Sequence, residues 1–199
     1  MTIVEVVEQQ PRVSQRQRWG NYFVYIYAVI SLFIAVNLGT STIYASRFYN
    51  NPQAGIQAYY PQNWLIDTDG DYIFRVRDMH QPQFKTTIQV SVLPVTINTQ
   101  ARNLLDSLIL SRSRTLAAFD VLDNAPYIMP DESEATAMTY TYVESGTDPF
   151  LASLPIVVEG LDILVIRGGQ AILITFLSEA EQYEENLEYF ERFVNELRF

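Results

Sequence analysis

Between Arg18 and Arg47 the chain runs 28 residues without a charged side chain, from Trp19 to Ser46, whereas the rest of it is seldom free of charge for long. Its richest part, residues 22–38, reads YFVYIYAVISLFIAVNL. A helix rising about 1.5 Å per residue needs about 20 apolar residues to cross the hydrocarbon of a bilayer, and the run through Ala45 supplies them. The pattern predicts one membrane-spanning helix over 19–46. Trp19, Tyr22, Tyr25 and Tyr27 crowd one end and Tyr44, Phe48 and Tyr49 the other, the places where amphipathic rings settle at the two water interfaces. A buried core helix is the weaker reading, because a chain of 199 residues hardly surrounds a helix that has no polar face. A cleaved signal peptide is a second alternative, with Ile43 and Ala45 placed before the cut. The apolar run is longer than a signal peptide uses, and 18 residues precede it.

Orientation follows from the basic residues at each end. Arg12, Arg16 and Arg18 precede the span and only Arg47 follows closely, which predicts a cytoplasmic N-terminus in the cell (plasma) membrane. The expected divisions are a cytoplasmic tail over 1–18, the spanning helix over 19–46, a linker over 47–54 and an extracytoplasmic domain over 55–199. About nine residues of extended linker reach at most about 30 Å, which holds the domain near the bilayer. The formal charge of −10 and pI near 4.5 argue against nucleic acid, since phosphate binding needs a basic surface. The chain has no Cys, which excludes disulfides, thiolate metal sites and a Cys nucleophile.

In the exported part, residues 55–60 and 64–66 read as a short strand interrupted by Pro61, which has no N–H to give to a ladder. The turn formers Asp67-Thr68-Asp69-Gly70-Asp71 lead into alternation over 72–77, with Tyr72, Phe74 and Val76 on one face. Residues 86–95 alternate again, Ile88, Val90 and Val92 against Thr87, Gln89 and Ser91, so one face alone is expected to be covered by apolar groups. Over 99–119 the spacing changes to three and four (Ala101, Leu104, Leu105, Leu108, Ile109, Leu116, Phe119), predicting a helix capped by Asn98 or Thr99. Strands are expected over 135–144, 156–166 and 170–177, the last two joined by a Gly168-Gly169 turn. A terminal helix follows, with Ser178 and Glu181 as a capping box and Tyr183, Leu187, Phe190, Val194 and Leu197 as its apolar stripe. Together these predict an α+β fold, an α/β/α sandwich with a central, mostly antiparallel sheet.

The stretch Tyr59-Tyr60-Pro61-Gln62-Asn63-Trp64, the hairpin YIFRVRD, the strand TTIQVSVLPV with its following helix, and the ending QAILITFLSEAEQYEENLEYFERFVNELRF resemble the PsbP-like family. That family includes the extrinsic photosystem II subunit and the Mog-type Ran-binding proteins. The resemblance covers residues 55–199 and implies the sandwich fold and an accessory or binding role in a larger assembly. The membrane helix departs from the photosynthetic member, so a role in water oxidation does not carry over.

Catalytic constellations are scarce. A Ser or Thr nucleophile needs a nearby base, and His80 and Lys85 are the only His and Lys in the chain. His80 sits between two strands, where a solvent-exposed loop imidazole is the ordinary reading. Asp67, Asp69 and Asp71 with Asp78 further on supply oxygen ligands of the kind Ca²⁺ takes. The spacing departs from a calcium loop, with Tyr72 at the sixth position, Gly70 at the fourth and Asp78 at the twelfth. A hairpin turn is the plainer reading. Within the span, Asn37 and Ser31 can hydrogen-bond to partner helices. The sequence therefore points to a single-pass, non-catalytic accessory or scaffold subunit without a cofactor, docking on other subunits of a membrane complex. The alternative is a membrane-tethered sensory module that binds a small-molecule ligand or Ca²⁺.

Overall fold

The computed structural model describes residues 15–43, 45–96, 99–145 and 154–199. Two compact units divide between Ala45 and Ser46. The first contains helix α1, Gln15–Ile43, of 29 residues. It ends before the expected limit at 46 because Ser46 already belongs to a strand, opposite Pro61. Residues 1–14 of the expected tail lie outside the described residues.

Residues 47–54, read from the sequence as a linker, instead carry most of strand β1 (Ser46–Asn51) and the turn into β2 (Ile56–Pro61), its antiparallel partner. The Asn51 Oδ1 accepts the backbone N–H of Gln53 at 3.1 Å and of Ala54 at 3.2 Å, and Gly55 takes the positive φ (68°) that closes the turn. Strand alternation then separates two neighbouring aromatics. Tyr49 turns inward, its ring 4.4 Å from that of Phe74 and its hydroxyl donating to the Ile73 carbonyl at 3.3 Å, so it is a packing residue rather than an interfacial one. Phe48 turns outward.

The remaining strands are β3 (Leu65–Asp67), β4 (Phe74–Arg77), β5 (Thr87–Pro94), β6 (Ala117–Ile128), β7 (Glu134–Glu144), β8 (Ile156–Arg167) and β9 (Gln170–Glu179). They form one sheet in the order β3-β4-β5-β9-β8-β7-β6, every neighbouring pair antiparallel. Gly168 and Gly169 join β8 to β9 with φ of 58° and 79°, values that a two-residue hairpin turn of this hand requires.

Period-two alternation gives the central strands two buried faces. Ile172, Ile174 and Phe176 of β9 join Phe74, Val76, Ile88 and Val90 beneath helix α3 (Tyr183–Glu196) and the β1–β2 hairpin. Ala171 and Leu173 join Met138, Tyr140 and Leu164 on the opposite face, beneath helix α2 (Ala101–Thr115). This is the expected α/β/α sandwich. The second layer also explains why Thr87 and Ser91 of β5, expected on an open polar face, are buried.

On α3 and just after it, Tyr183, Phe190, Val194 and Leu197 of the expected stripe are buried and Leu187 is half-buried; Phe193, not expected there, is buried with them, and Glu184, Glu185, Glu188 and Glu191 are exposed. Each fully buried apolar side chain contributes about 1.5–3 kcal/mol, so this face suffices to hold a helix that would be marginal alone. The capping box does not form. Ser178 lies fully buried in β9, where its hydroxyl accepts from the Asn186 amide at 2.9 Å, and Asn186 also donates to Thr86 Oγ1 at 3.1 Å. A 3-10 turn over 180–182 leads into α3 instead, with Gln182 at the N-cap and no side-chain bond there.

Helix α2 stops four residues earlier than its periodicity suggested. Gln100 occupies its N-cap without a side-chain bond, while the Thr99 hydroxyl takes the Thr96 N–H at 3.1 Å; Asn98 lies outside the described residues. Leu116 and Phe119 still pack on the face that α2 covers, but Leu116 as the extended C-cap of α2 and Phe119 from the start of β6, a strand the sequence reading missed. Asp120, Asp123, Asn124 and Pro126 disguise β6 as a loop. They are tolerated because it is the outermost strand, with one side of its ladder free of demands.

Candidate membrane anchor and docking face

Within α1, Trp19–Leu38 is a 20-residue segment with mean hydropathy 1.7 and none of it buried. Its large apolar side chains are exposed all round, Trp19 at 66% and Tyr27 at 75%. A helix without a polar face finds no stable position in water. Its length and composition fit a membrane anchor or a signal segment. Trp19 and Phe23 pair at 6.3 Å between ring centroids at one end. The Asn37 amide donates to the Phe33 carbonyl four residues back at 2.9 Å, so part of its hydrogen-bonding capacity is met within its own helix. Ser31 is exposed on the same helix.

The acidic turn after β3 is organised by protein groups. The Asp67 carboxylate accepts the Tyr72 hydroxyl at 2.6 Å, the Asp69 N–H at 3.0 Å and Arg75 Nη2 at 2.8 Å, with Arg77 Nη2 at 3.6 Å. Asp78 Oδ1 accepts the His80 N–H at 2.9 Å and faces its Nδ1 at 3.1 Å. Among the described residues no three acids or histidines stand together as metal ligands, so the structure does not bring Asp67, Asp69, Asp71 and Asp78 into one cage. Arginines on the neighbouring strand occupy the Asp67 oxygens a cation would need. His80 is exposed, and the Lys85 ammonium is bound to the Met79 and Gln81 carbonyls.

The Tyr72 hydroxyl, then the Asp69 N–H and Arg75, hold the Asp67 carboxyl well below the usual carboxylate range. An acid depressed in the folded state adds stability above its unfolded pKa and loses it as pH falls through the folded value. The Tm difference between the wild type and Asp67→Asn is therefore expected to hold steady above about pH 5 and to shrink as pH falls below about 4. A difference unchanged through that acid range would remove this turn from the acid response.

A second polar cluster was not found from the sequence. Asp162, in the centre of β8, is fully buried and accepts both guanidinium nitrogens of Arg112 from α2, Nη2 to Oδ1 at 3.1 Å and Nη1 to Oδ2. Thr175 Oγ1 of β9 donates to Oδ1 at 2.8 Å. The guanidinium lies 4.4 Å from the centre of the Tyr140 ring, a cation–π contact. Burial pushes the Asp162 carboxyl up, against the pull of Arg112 and Thr175. Gly160, opposite Tyr140 in the ladder, has no Cβ because one would land on that ring. A cavity of about 230 Å³ adjoins the pair, lined by Gln89, Tyr142 and Leu177 among others. The trace in the sequence was Asp162, set between Leu161 and Ile163 in the strand IVVEGLDILVIR, whose partner lies 50 residues earlier.

Between α2 and the β6–β7 edge runs an open groove. One section of about 880 Å³ is lined by Ala101, Tyr127, Ile128 and Arg167, and a second of about 440 Å³ by Arg102, Asp106 and Asn124; Pro126 and Thr136 border both. Beside it the edge strand exposes Leu122 (54%) and Ile128 (74%). A terminal strand of this length leaves main-chain donors and acceptors along its outer side, which can pair with a strand from another protein.

No protein-family model matches the chain, and no curated protein matches its sequence. Solved structures do. The chain is similar to the cyanobacterial PsbP (CyanoP) of Synechocystis at a TM-score of 0.57 and 12% identity, covering 77% of this chain and 92% of that one. It is similar to the Ran-binding protein Mog1p of Saccharomyces cerevisiae at 0.51 and 9%, covering 77% and 95%. A protein of unknown function from Pseudomonas aeruginosa matches at 0.50 and 9%, covering 75% and 94%. The chain has a PsbP/Mog-like fold, as its sequence resemblance implied.

Proposed function

We propose that this protein is a single-pass membrane protein whose sandwich domain is a non-catalytic accessory or scaffold module, held outside the cytoplasm to dock on or stabilise a larger membrane complex. The observation that carries the reading is α1, with 20 uncharged residues in helical form and apolar surface on every side, which lipid or neighbouring helices must cover. The excess of Arg before the apolar segment Trp19–Leu38 supports an inward N-terminus. The fold supports a binding role by analogy, since the Mog1p structure is that of a Ran-binding protein. The groove and the outer edge of β6, which no described strand pairs, are the surfaces suited to a protein partner. Their acidic neighbours Asp106, Asp120 and Asp123 favour a basic one.

The native full-length protein is expected to co-purify with other membrane subunits in mild detergent, and Leu122→Lys with Ile128→Lys on the β6 edge is expected to release them while the protein stays in the membrane. Recovery of the wild type as a lone monomer under several gentle conditions would end this reading.

A further inference from the structure

The β1–β2 hairpin carries an exposed aromatic pair that no core needs. Phe48 is 52% exposed and Tyr59 43% exposed, they are direct cross-strand partners, and their ring centroids lie 5.0 Å apart. The residues that share their side of the hairpin by register are Ser46, Pro61, Asn50 and Gln57, none of them charged. This neutrality is unusual for the chain. Residues 46–66 contain Arg47 and no acid, whereas residues 67–199 contain 21 acids against nine basic residues. The same hairpin is joined to the end of α1 by only two residues, 44 and 45. Five residues from Ile43 to Phe48 span at most about 18 Å of extended chain, so the hairpin stays within reach of the headgroup layer, itself about 5–8 Å deep on each side.

We infer that the outer face of the β1–β2 hairpin, centred on Phe48 and Tyr59, rests in the lipid headgroup layer of the bilayer that α1 spans. A ring with a polar tip, as Tyr59 has, favours that layer, and the apolar ring of Phe48 reaches toward the acyl boundary beneath it. The acid-rich remainder of the domain is repelled by anionic headgroups and turns toward water. The hairpin then orients the domain, so that the anchor fixes its distance from the membrane and the aromatic pair fixes which side faces down. This inference rests on the reading of α1 as an anchor.

Because the chain lacks Cys, a single introduced thiol can be spin-labelled without background. Full-length Phe48→Cys, Tyr59→Cys, Ile30→Cys and Ile128→Cys are reconstituted singly, one chain per nanodisc, in phosphatidylcholine and phosphatidylglycerol. Collision with oxygen is then compared with collision with a water-soluble nickel chelate, and a thermal melt confirms that each variant is folded. Labels at 48 and 59 are expected to be shielded from the chelate relative to 128 and less oxygen-accessible than 30. If 30 is immersed while 48 and 59 are as open to the chelate as 128, the hairpin does not rest on lipid and the anchor stands. If 30 itself is open to the chelate, both readings fall.

Discussion

Arg112→Ala is expected to destabilise the sandwich domain by about 3–5 kcal/mol, the cost of breaking a buried ion pair from one side. Asp162 has no exposed surface, and Arg112 supplies its counter-charge and two of its hydrogen bonds, leaving only the Thr175 hydroxyl when it is removed. In a domain of this size that loss lowers Tm by about 10 °C. Arg112→Lys does not rescue, because an ammonium cannot make the paired contact or lie flat on the Tyr140 ring. The double variant Arg112→Met with Asp162→Leu is expected to recover most of the stability, since apolar groups of similar volume carry no desolvation cost. Urea unfolding of the wild type and the three variants in one detergent compares their stabilities. If the single variants cost under about 1 kcal/mol, water reaches the pair and its role in fixing α2 over the sheet is lost.

Two charges in the anchor have the largest consequence for location. Ile26 and Ile30 lie one turn apart on either side of the middle of Trp19–Leu38. Each lysine at the centre of a spanning helix costs about 2.5–3.5 kcal/mol of insertion free energy, so the pair shifts the equilibrium by roughly four decades. Ile26→Lys with Ile30→Lys is expected to move the protein from the carbonate-washed membrane pellet to the supernatant. The melting transition of the sandwich should stay where it was, because that unit has its own core. Retention of the double variant in washed membranes would show that α1 is not the anchor. A mature wild-type terminus at Ser46 would identify it as a signal segment.

The elements whose partners are close in sequence or whose period is unmistakable were legible in the sequence. The apolar run became α1, the alternation in YIFRVRD and TTIQVSVLPV became β4 and β5, and the stripe from Tyr183 to Leu197 became the buried face of α3. Errors came where a local signal has two readings. Ser178 and Glu181 spell a capping box, yet Asn186 and Thr86 draw the Ser178 hydroxyl into a buried network. Leu116 and Phe119 continue a helical spacing, yet they pack equally well from an extended chain. Asn50 to Gly55 spell a linker, yet they close a hairpin.

What the sequence determined alone is the division of the chain into an uncharged helix and an acidic α+β body, because charge density and hydrophobic period act along the backbone and need no distant partner. What only the tertiary structure decided is which polar groups are spoken for and which aromatics are left outside. The Arg112 side chain meets Asp162 across 50 residues, Asp67 is claimed by Arg75, and Tyr49 and Phe48 go to opposite sides of one hairpin. Those outcomes depend on strand register and on which layer covers each face, and both are set by contacts between segments far apart in the chain.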